Sequence, residues 1–145
     1  MMLYYLNLSI LCDTVRSGTA PLDLCYIDGF DLKSRSEFCS PERNALKDFF
    51  VSTKGQEWSR YSSWGDPMEH PCNWYGVECD ENRVVIGLNL ANNGLDGLLS
   101  SSIGELSSLK TLDISDNDIK GSIPKELFKL SKLMSLRLRF VVVPL

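Results

Sequence analysis

The stretch that decides the fold is residues 109–124, which read LKTLDISDNDIKGSIP. Its apolar pair, Leu112 and Ile114, recurs 24 residues earlier within Leu-Asn-Leu at 88–90 and 24 residues later within Leu-Arg-Leu at 136–138. The asparagines and glycines of the repeat, together with several other apolar residues, recur at the same spacing. A fixed period of this length is typical of a solenoid, in which each repeat forms one coil. The sequence therefore predicts coils stacked around a shared apolar core.

The order of residues within one repeat predicts where the chain is extended. Residues 111–115 alternate between outward and inward side chains, as a β-strand requires. Parallel strands are accordingly predicted near 86–90, 110–114 and 134–138, stacked in one sheet. The residues expected to be buried are Leu88, Leu90, Leu112, Ile114, Leu136 and Leu138.

The end of each strand carries residues that suit a corner. We expect Asn93 and Asn117 to form a buried ladder, because a side-chain amide there can satisfy backbone groups of two neighbouring coils. Glycines 97 and 121 follow these corners and predict tight turns. The convex side is predicted to begin at Pro124, followed by a short helical or 3₁₀ turn whose leucines, three residues apart at 127 and 130, face the core.

The region before the repeats has the features of a terminal cap. Apolar residues recur at helical spacing within 45–50 and predict a helix of about 41–53 with one buried face. Ser40 suits its N-cap, and Gly55 suits its end. We interpret the three tryptophans, at 58, 64 and 74, as core residues rather than ligand-binding ones. A cap is needed because the first coil would otherwise expose its apolar end to water.

These motifs resemble the plant-type leucine-rich repeat family. Residues 112–124 follow its pattern Leu-x-Leu-x-x-Asn-x-Leu-x-Gly-x-Ile-Pro. Residues 42–46 and 72–79 are similar to its N-terminal cap, which reads (Asp/Glu)-Arg-x-Ala-Leu and later Cys-x-Trp-x-Gly-Val-x-Cys. The family includes receptor-like kinases, receptor-like proteins and small secreted repeat proteins of plants, with similar modules in protists. The resemblance implies an α/β leucine-rich repeat solenoid, a short right-handed coil with a parallel β-sheet and a helical N-terminal cap.

Four segments follow from this division of the chain. Residues 39–84 are expected to form the cap, and residues 85–139 two complete repeats and one partial repeat. Residues 1–38 show no periodicity; their apolar start resembles a short secretory signal that lacks the usual positive charge, and it contains the sequon at Asn7. Residues 140–145 are apolar, and valine replaces the asparagine expected at 141, so we interpret them as a truncated tail.

The cysteines suggest the redox compartment. Cys72 and Cys79 lie seven residues apart across a turn that contains Gly76, close enough for a disulfide that would contribute roughly 2–3 kcal/mol in the chain-entropy model. Such a bond implies an oxidising setting. The alternative is metal binding by these cysteines and His70, which lacks a fourth ligand at a usual spacing. Cysteines 12, 25 and 39 have no evident partner, although the last could pair with the second or remain free.

No motif in the sequence indicates catalysis. Residues 116–127 resemble the start of a calcium-binding EF-hand loop, but Lys120 occupies a ligand position and Leu127 replaces the required glutamate. The kinase motifs His-Arg-Asp and Asp-Phe-Gly are missing. The net charge of −4 comes without a basic patch for nucleic acid, and no apolar span of 18 residues could cross a membrane. We therefore expect no enzyme activity, cofactor, metal or nucleic acid.

The remaining interpretation is that this chain recognises a partner. A solenoid offers its concave strand face to ligands, and side chains that alternate with the core leucines can vary without damage to the stack. The predicted ligand-binding residues are Asn89, Ala91, Thr111, Asp113, Ser115, Ser135, Arg137 and Arg139, with Gly87 in the same rows. The expected partner is a protein or peptide ligand, together with a co-receptor, outside the cell or at its surface. The alternatives are a fragment of a receptor-like Ser/Thr kinase and a cytoplasmic repeat protein.

Overall fold

The computed structural model of the chain describes residues 40–66 and 69–139. The predicted segments 1–38 and 140–145 lie outside this part, as do the signal-like start, the sequon at Asn7 and cysteines 12, 25 and 39. The first element is helix α1, Pro41–Ser52. Its start is fixed as predicted, because the side chain of Ser40 accepts a hydrogen bond of 3.1 Å from the backbone N–H of Arg43, and proline occupies the first turn.

The end of α1 differs from the prediction at Gly55. Lys54 takes the left-handed backbone conformation that ends the helical segment, with φ of 54°, and Gly55 opens a 3₁₀ turn, Gly55–Glu57. The glycine is needed for a different reason. A Cβ at this position would overlap the ring of Phe50, so the missing side chain lets the aromatic cluster of the cap close over the chain.

The main sheet has four strands in the order β1, β2, β4, β6. They are β1 (Val77–Cys79), β2 (Val85–Asn89), β4 (Thr111–Asp113) and β6 (Ser135–Arg137). The last three are parallel, and Leu88 pairs with Leu112, which in turn pairs with Leu136, so the predicted stacking of the three repeats is confirmed. The prediction missed β1, which runs antiparallel to β2. The chain reverses between β1 and β2, so β1 covers the edge of β2 that would otherwise be open.

A second sheet, absent from the prediction, joins the repeats beyond their corners. It consists of β3 (Asp96–Leu98) and β5 (Asp118–Lys120), which are parallel. Gly97 lies inside β3 rather than at a turn, and its φ is +135°. A Cβ there would overlap the carbonyl oxygen of Ser52, so the glycine permits the end of α1 to approach the first coil.

The core lies between the main sheet and the convex side. The convex side carries two 3₁₀ turns, Ser101–Glu105 and Lys125–Lys129, and Leu127 and Leu130 are buried as predicted. The tryptophans are core residues, as interpreted. Trp58 and Trp64 pack with ring centroids 5.0 Å apart, and Trp64 and Trp74 with centroids 4.9 Å apart. All three are at least 94% shielded from solvent, which closes the first coil.

The other end of the stack contradicts the predicted burial of the last two leucines. Leu88 and Leu112 are each 1% exposed, whereas Leu136, their counterpart in β6, is 41% exposed and Leu138 is half-buried. A core residue of a solenoid is covered by the coils on both sides of it, and β6 has a described coil on one side alone. The apolar period therefore predicts the direction of these side chains, while their burial depends on a neighbouring coil.

Candidate functional site

The outer sheet face is the side of β1, β2, β4 and β6 that points away from the buried leucines. The strand register aligns Asn89, Asp113 and Arg137 in one column across the three parallel strands. Asn89 and Arg137 are exposed and Asp113 is half-buried. Thr111 and Ser135 pair in the adjoining column. The strands thus bring these five predicted site residues together on one surface.

Asp113 is the centre of the polar network on this face. One carboxylate oxygen accepts hydrogen bonds from the hydroxyl and the backbone N–H of Ser115, at 2.6 and 3.1 Å. The other oxygen forms an ion pair of 3.4 Å with Arg137. Burial raises the pKa of Asp113, but the hydrogen bonds from Ser115 and the positive charge of Arg137 outweigh it, so the pKa lies below its usual range. The carboxylate is therefore ionised and its direction is fixed.

A second ion pair lies beside the first, just after the end of β6. Arg139 lies 3.4 Å from a carboxylate oxygen of Asp116, and both side chains are more than half exposed. With Ser115 and Arg137 these residues line a shallow depression at the open end of the sheet. Exposed pairs of this kind contribute little to stability, so both arginines can exchange their partners for groups on a ligand.

The predicted row of Gly87, Asn89 and Ala91 is incomplete. Gly87 is buried, because the side chains of Glu78 and Thr111 close over it; a Cβ would lie 2.8 Å from each. Ala91 is half-buried. The surface at this position is therefore formed by Glu78, which projects from the unpredicted strand β1. Glu78 lies on this face because β1 pairs antiparallel with β2, and no short-range sequence pattern predicts that pairing.

Sequence reasoning also missed a column at the start of the repeat strands. The backbone N–H of Lys110 donates to the carbonyl of Ile86 at 2.7 Å, and that of Met134 donates to the carbonyl of Lys110 at 2.8 Å. These bonds extend the parallel ladder, and the side chains of Lys110 and Met134 are exposed, the latter by 81%. This column could have been predicted from the sequence, because positions 86, 110 and 134 keep the 24-residue spacing while their side chains differ in polarity and charge.

Beneath this face, asparagine side chains join one coil to the next. The Asn117 carboxamide oxygen accepts from the backbone N–H groups of Asn93 and Leu95, both at 3.0 Å, and its nitrogen donates to the carbonyls of Leu90 and Ile114. Asn93 makes the equivalent contacts with the cap. Its oxygen accepts from the N–H of Arg60 at 2.9 Å, and its nitrogen donates to the carbonyl of the same residue at 2.8 Å. Both asparagines are buried.

The cap is fastened beside β1 by a covalent bond. Cys72 and Cys79 form the disulfide, which links the 3₁₀ turn Pro71–Asn73 to the end of β1. His70, the third member of the alternative metal set, accepts a hydrogen bond at Nδ1 from the backbone N–H of Cys72. Within residues 40–66 and 69–139 no group of three or more His, Cys, Asp or Glu side chains is arranged to hold a metal ion. In the same ranges, no helix is long and apolar enough to cross a bilayer.

Known proteins are similar to this chain in sequence. Residues 39–80 match the family described as Leucine rich repeat N-terminal domain, and residues 108–130 match Leucine Rich Repeat. Phytosulfokine receptor 1 of Arabidopsis thaliana is 36% identical over 119 residues, which are 79% of this chain and 11% of that receptor.

Two solved ectodomains of plant receptor kinases have similar structures. The Arabidopsis HAESA leucine-rich repeat ectodomain, in complex with an N-terminally extended IDA peptide hormone, is 30% identical, with a TM-score of 0.56 over 66% of this chain and 16% of that one. The ectodomain of GASSHO1/SCHENGEN3 from Arabidopsis thaliana, in complex with CASPARIAN STRIP INTEGRITY FACTOR 2, is 33% identical, with a TM-score of 0.60 over 66% of this chain and 12% of that one. This chain therefore spans a small part of the length of its relatives.

Proposed function

We propose that this chain, which belongs to the plant-type leucine-rich repeat proteins with an N-terminal cap, is a non-catalytic module that binds a protein or peptide on its outer sheet face. The observation that carries the proposal is the column of Asn89, Asp113 and Arg137, aligned by parallel register above leucines that are buried in the first two repeats. Side chains in such a column are fixed in position by the strands and can vary without loss of the core, so the column suits recognition.

The chemistry of this face favours an extended polar ligand. Its central groups are an amide, an ionised carboxylate and a guanidinium, and the small hydroxyl side chains of Thr111 and Ser135 leave room beside them. An extended chain has free backbone N–H and C=O groups that such side chains can bind. The HAESA structure, which holds a peptide hormone, is one similar ectodomain with a ligand of this kind. A co-receptor is proposed as a further partner of the complete protein.

The proposed location is the cell exterior. Cys72 and Cys79 form a disulfide. Disulfides are stable in oxidising compartments and rare in the cytosol. The similar proteins include receptors and the ectodomains of receptor kinases. A cytoplasmic protein would instead contain these two cysteines as thiols, which thiol labelling of the protein from its own source would detect.

A second proposal concerns the complete protein, since the matched relatives include receptor kinases many times longer than this chain. The matched part of those relatives is the leucine-rich repeat region, and this chain carries no kinase motif. We propose that, in a longer protein containing this chain, a kinase domain follows the leucine-rich repeats after a membrane span. The coding sequence downstream of residue 139 tests this directly, because a span followed by His-Arg-Asp and Asp-Phe-Gly would identify a receptor kinase.

The binding proposal is tested with charge changes on the two sides of the solenoid. Peptides are first selected from a displayed random 12-residue library on the immobilised full chain. Their affinities are then measured for Asp113→Arg, for Arg137→Asp and for the double exchange, with Lys125→Asp and Lys129→Asp on the convex side as controls. We expect each single reversal on the outer face to weaken binding about tenfold or more, because charged hydrogen bonds contribute roughly 1.5–3 kcal/mol.

The double exchange restores the ion pair between positions 113 and 137 but reverses its direction on the surface. It separates loss of a ligand contact from loss of the pair itself: if the ligand contact matters, affinity stays low although the pair is restored, and stability stays close to that of the unchanged protein. Unchanged affinity in the outer-face variants, combined with loss of binding in the convex variants, would contradict the proposal.

A further inference from the structure

Arg60 and Tyr75 lie on the cap at the point where it meets the outer sheet face. The Arg60 guanidinium carbon is 4.7 Å from the centroid of the Tyr75 ring. Arg60 is exposed and Tyr75 is partly buried against the core. A guanidinium positioned over an aromatic face loses less freedom when it binds an anion, because its position is already restricted.

The backbone on both sides of this pair is tied to the first repeat. The N–H and carbonyl of Arg60 both bond to the buried side chain of Asn93, at 2.9 and 2.8 Å. Gly76, which follows Tyr75, accepts a hydrogen bond of 2.7 Å at its carbonyl from the N–H of Asn89. These backbone hydrogen bonds place Arg60 and Tyr75 next to the C-terminal end of β2, where Asn89 begins the column of Asn89, Asp113 and Arg137. The pair and the column therefore adjoin on one surface.

Within residues 40–66 and 69–139, the charge of Arg60 is not matched by an ion pair, and neither is the charge of Glu78. Arg137 and Arg139 pair with Asp113 and Asp116, whereas Arg60 forms no ion pair with any residue in the described part of the chain. Its guanidinium can therefore offer a planar set of N–H donors to a carboxylate without first releasing a partner.

We propose that Arg60, stacked on Tyr75, is an anion-binding anchor that extends the recognition surface onto the cap and takes a carboxylate side chain of an acidic peptide. The inference rests on the proposed function, because the rest of the peptide would cross β2, β4 and β6. Neighbouring strands lie roughly 4.8 Å apart, so β6 is about 10 Å beyond β2. An extended chain advances roughly 3.3 Å per residue, so a peptide of about six residues, roughly 20 Å long, reaches from the anchor to β6 with length to spare. The acidic residue would lie at the end of the peptide nearest the cap.

The test uses the full chain and a blocked peptide, acetyl-Glu-Glu-Ser-Gly-Ser-Gly-amide, with the Gln-Gln version as its uncharged control. Binding is followed by NMR through the Nε–Hε signal of Arg60, which reports on the guanidinium itself. We expect the glutamate peptide to shift this signal and to bind about tenfold more tightly than the glutamine peptide. Arg60→Gln should lose that difference.

A matched control is the same substitution at Arg83, which is also exposed but lies in the turn before β2, away from the anchor. Arg83→Gln should bind the glutamate peptide as the unchanged protein does. Tyr75→Leu removes the stack and keeps the charge, so it should weaken binding about threefold or more. If Arg60→Gln lowers the thermal midpoint strongly, Arg60→Lys and Tyr75→Leu provide the comparison in its place.

The inference fails if the two peptides bind equally, if neither binds, or if Arg60→Gln and Arg83→Gln have the same effect. It can fail separately from the proposed function. Library-selected peptides that respond to Asp113→Arg but not to Arg60→Gln would leave the outer sheet face as the binding site and exclude the anchor.

Discussion

Replacing Asn117 with alanine tests the most connected polar side chain in the repeat stack. The carboxamide is 95% shielded from solvent and joins two coils. Its oxygen satisfies the backbone N–H groups of Asn93 and Leu95, and its nitrogen donates to the carbonyls of Leu90 and Ile114. Alanine keeps the backbone and removes all of these bonds, leaving the two N–H groups without their acceptor.

The expected cost follows from those two orphaned donors. A buried donor left unsatisfied costs about 1–3 kcal/mol, whereas a carbonyl tolerates the loss of one partner better because it has two lone pairs. Water that enters the space recovers part of this energy. We therefore expect the free energy of unfolding to fall by about 3 kcal/mol, which for a folded part of about 100 residues lowers Tm by about 12–24 °C.

Urea unfolding followed by far-ultraviolet circular dichroism measures this change, with Asn89→Ala as the matched control. Asn89 is exposed, and its side chain accepts a long hydrogen bond of 3.4 Å from the backbone N–H of Ala91, so the same substitution there should change stability by less than about 0.5 kcal/mol. A cost below about 1 kcal/mol for Asn117→Ala would refute the reasoning, because it would mean that water replaces the ladder at almost no loss.

Asn117→Asp adds a pH-dependent version of the test. The new carboxyl would face three carbonyl oxygens, so its neutral form, which keeps one donor, is favoured and its folded pKa should rise above the unfolded value of about 3.9. A raised folded pKa means that the variant is least impaired below about pH 4 and loses stability as the pH rises through the folded pKa. A variant whose stability, relative to the unchanged protein, is the same at pH 4 and pH 7 would contradict the hydrogen-bond directions described for the ladder.

Three further predictions concern other parts of the fold. Replacing Cys72 and Cys79 with serine should lower the free energy of unfolding by about 2.5 kcal/mol in urea titration, and a reductant should destabilise the unchanged protein but not the variant. Hydrogen bonds from Lys120 and Lys54 lower the pKa of Asp96 to about 2. The stability that Asp96 provides should therefore be present above about pH 4 and lost as the pH falls toward 2. Asp96→Asn should remove this part of the acid dependence of Tm. Leu112→Ala should cost about 2–5 kcal/mol and Leu136→Ala about 1 kcal/mol, because their exposures are 1% and 41%; equal costs would mean that the last coil is covered in solution.

The repeat phase and the cap helix could be predicted because each depends on residues close together in the chain. Leu112 and Ile114 alternate within one strand, and the 24-residue spacing then sets the register with β2 and β6. The start of α1 was predictable for the same reason, since Ser40 caps a group three residues away. The disulfide was also accessible from sequence, because seven residues separate its two cysteines.

Other parts of the site depend on contacts that no local pattern records. Glu78 reaches the outer face because β1 turns back along β2, and Arg60 stacks on Tyr75 because Asn93, 33 residues away, holds its backbone. The role of Gly97 is similar. Its position suggested a turn, but the residue is required where the end of α1 presses against the first coil.

The sequence by itself therefore determined the coil period, the direction of each core leucine and which side chains of the repeat strands point away from the core, because the geometry of a strand fixes which side chains share a face. The tertiary structure alone decided which of those leucines are buried, which strand covers the first edge and which charges on the outer sheet face are already paired. Leu136 shows the difference, since its side chain has the predicted direction and yet is 41% exposed. Direction is set by the residue's own backbone, whereas burial and electrostatic pairing need a second surface, and the position of that surface is a property of the whole fold.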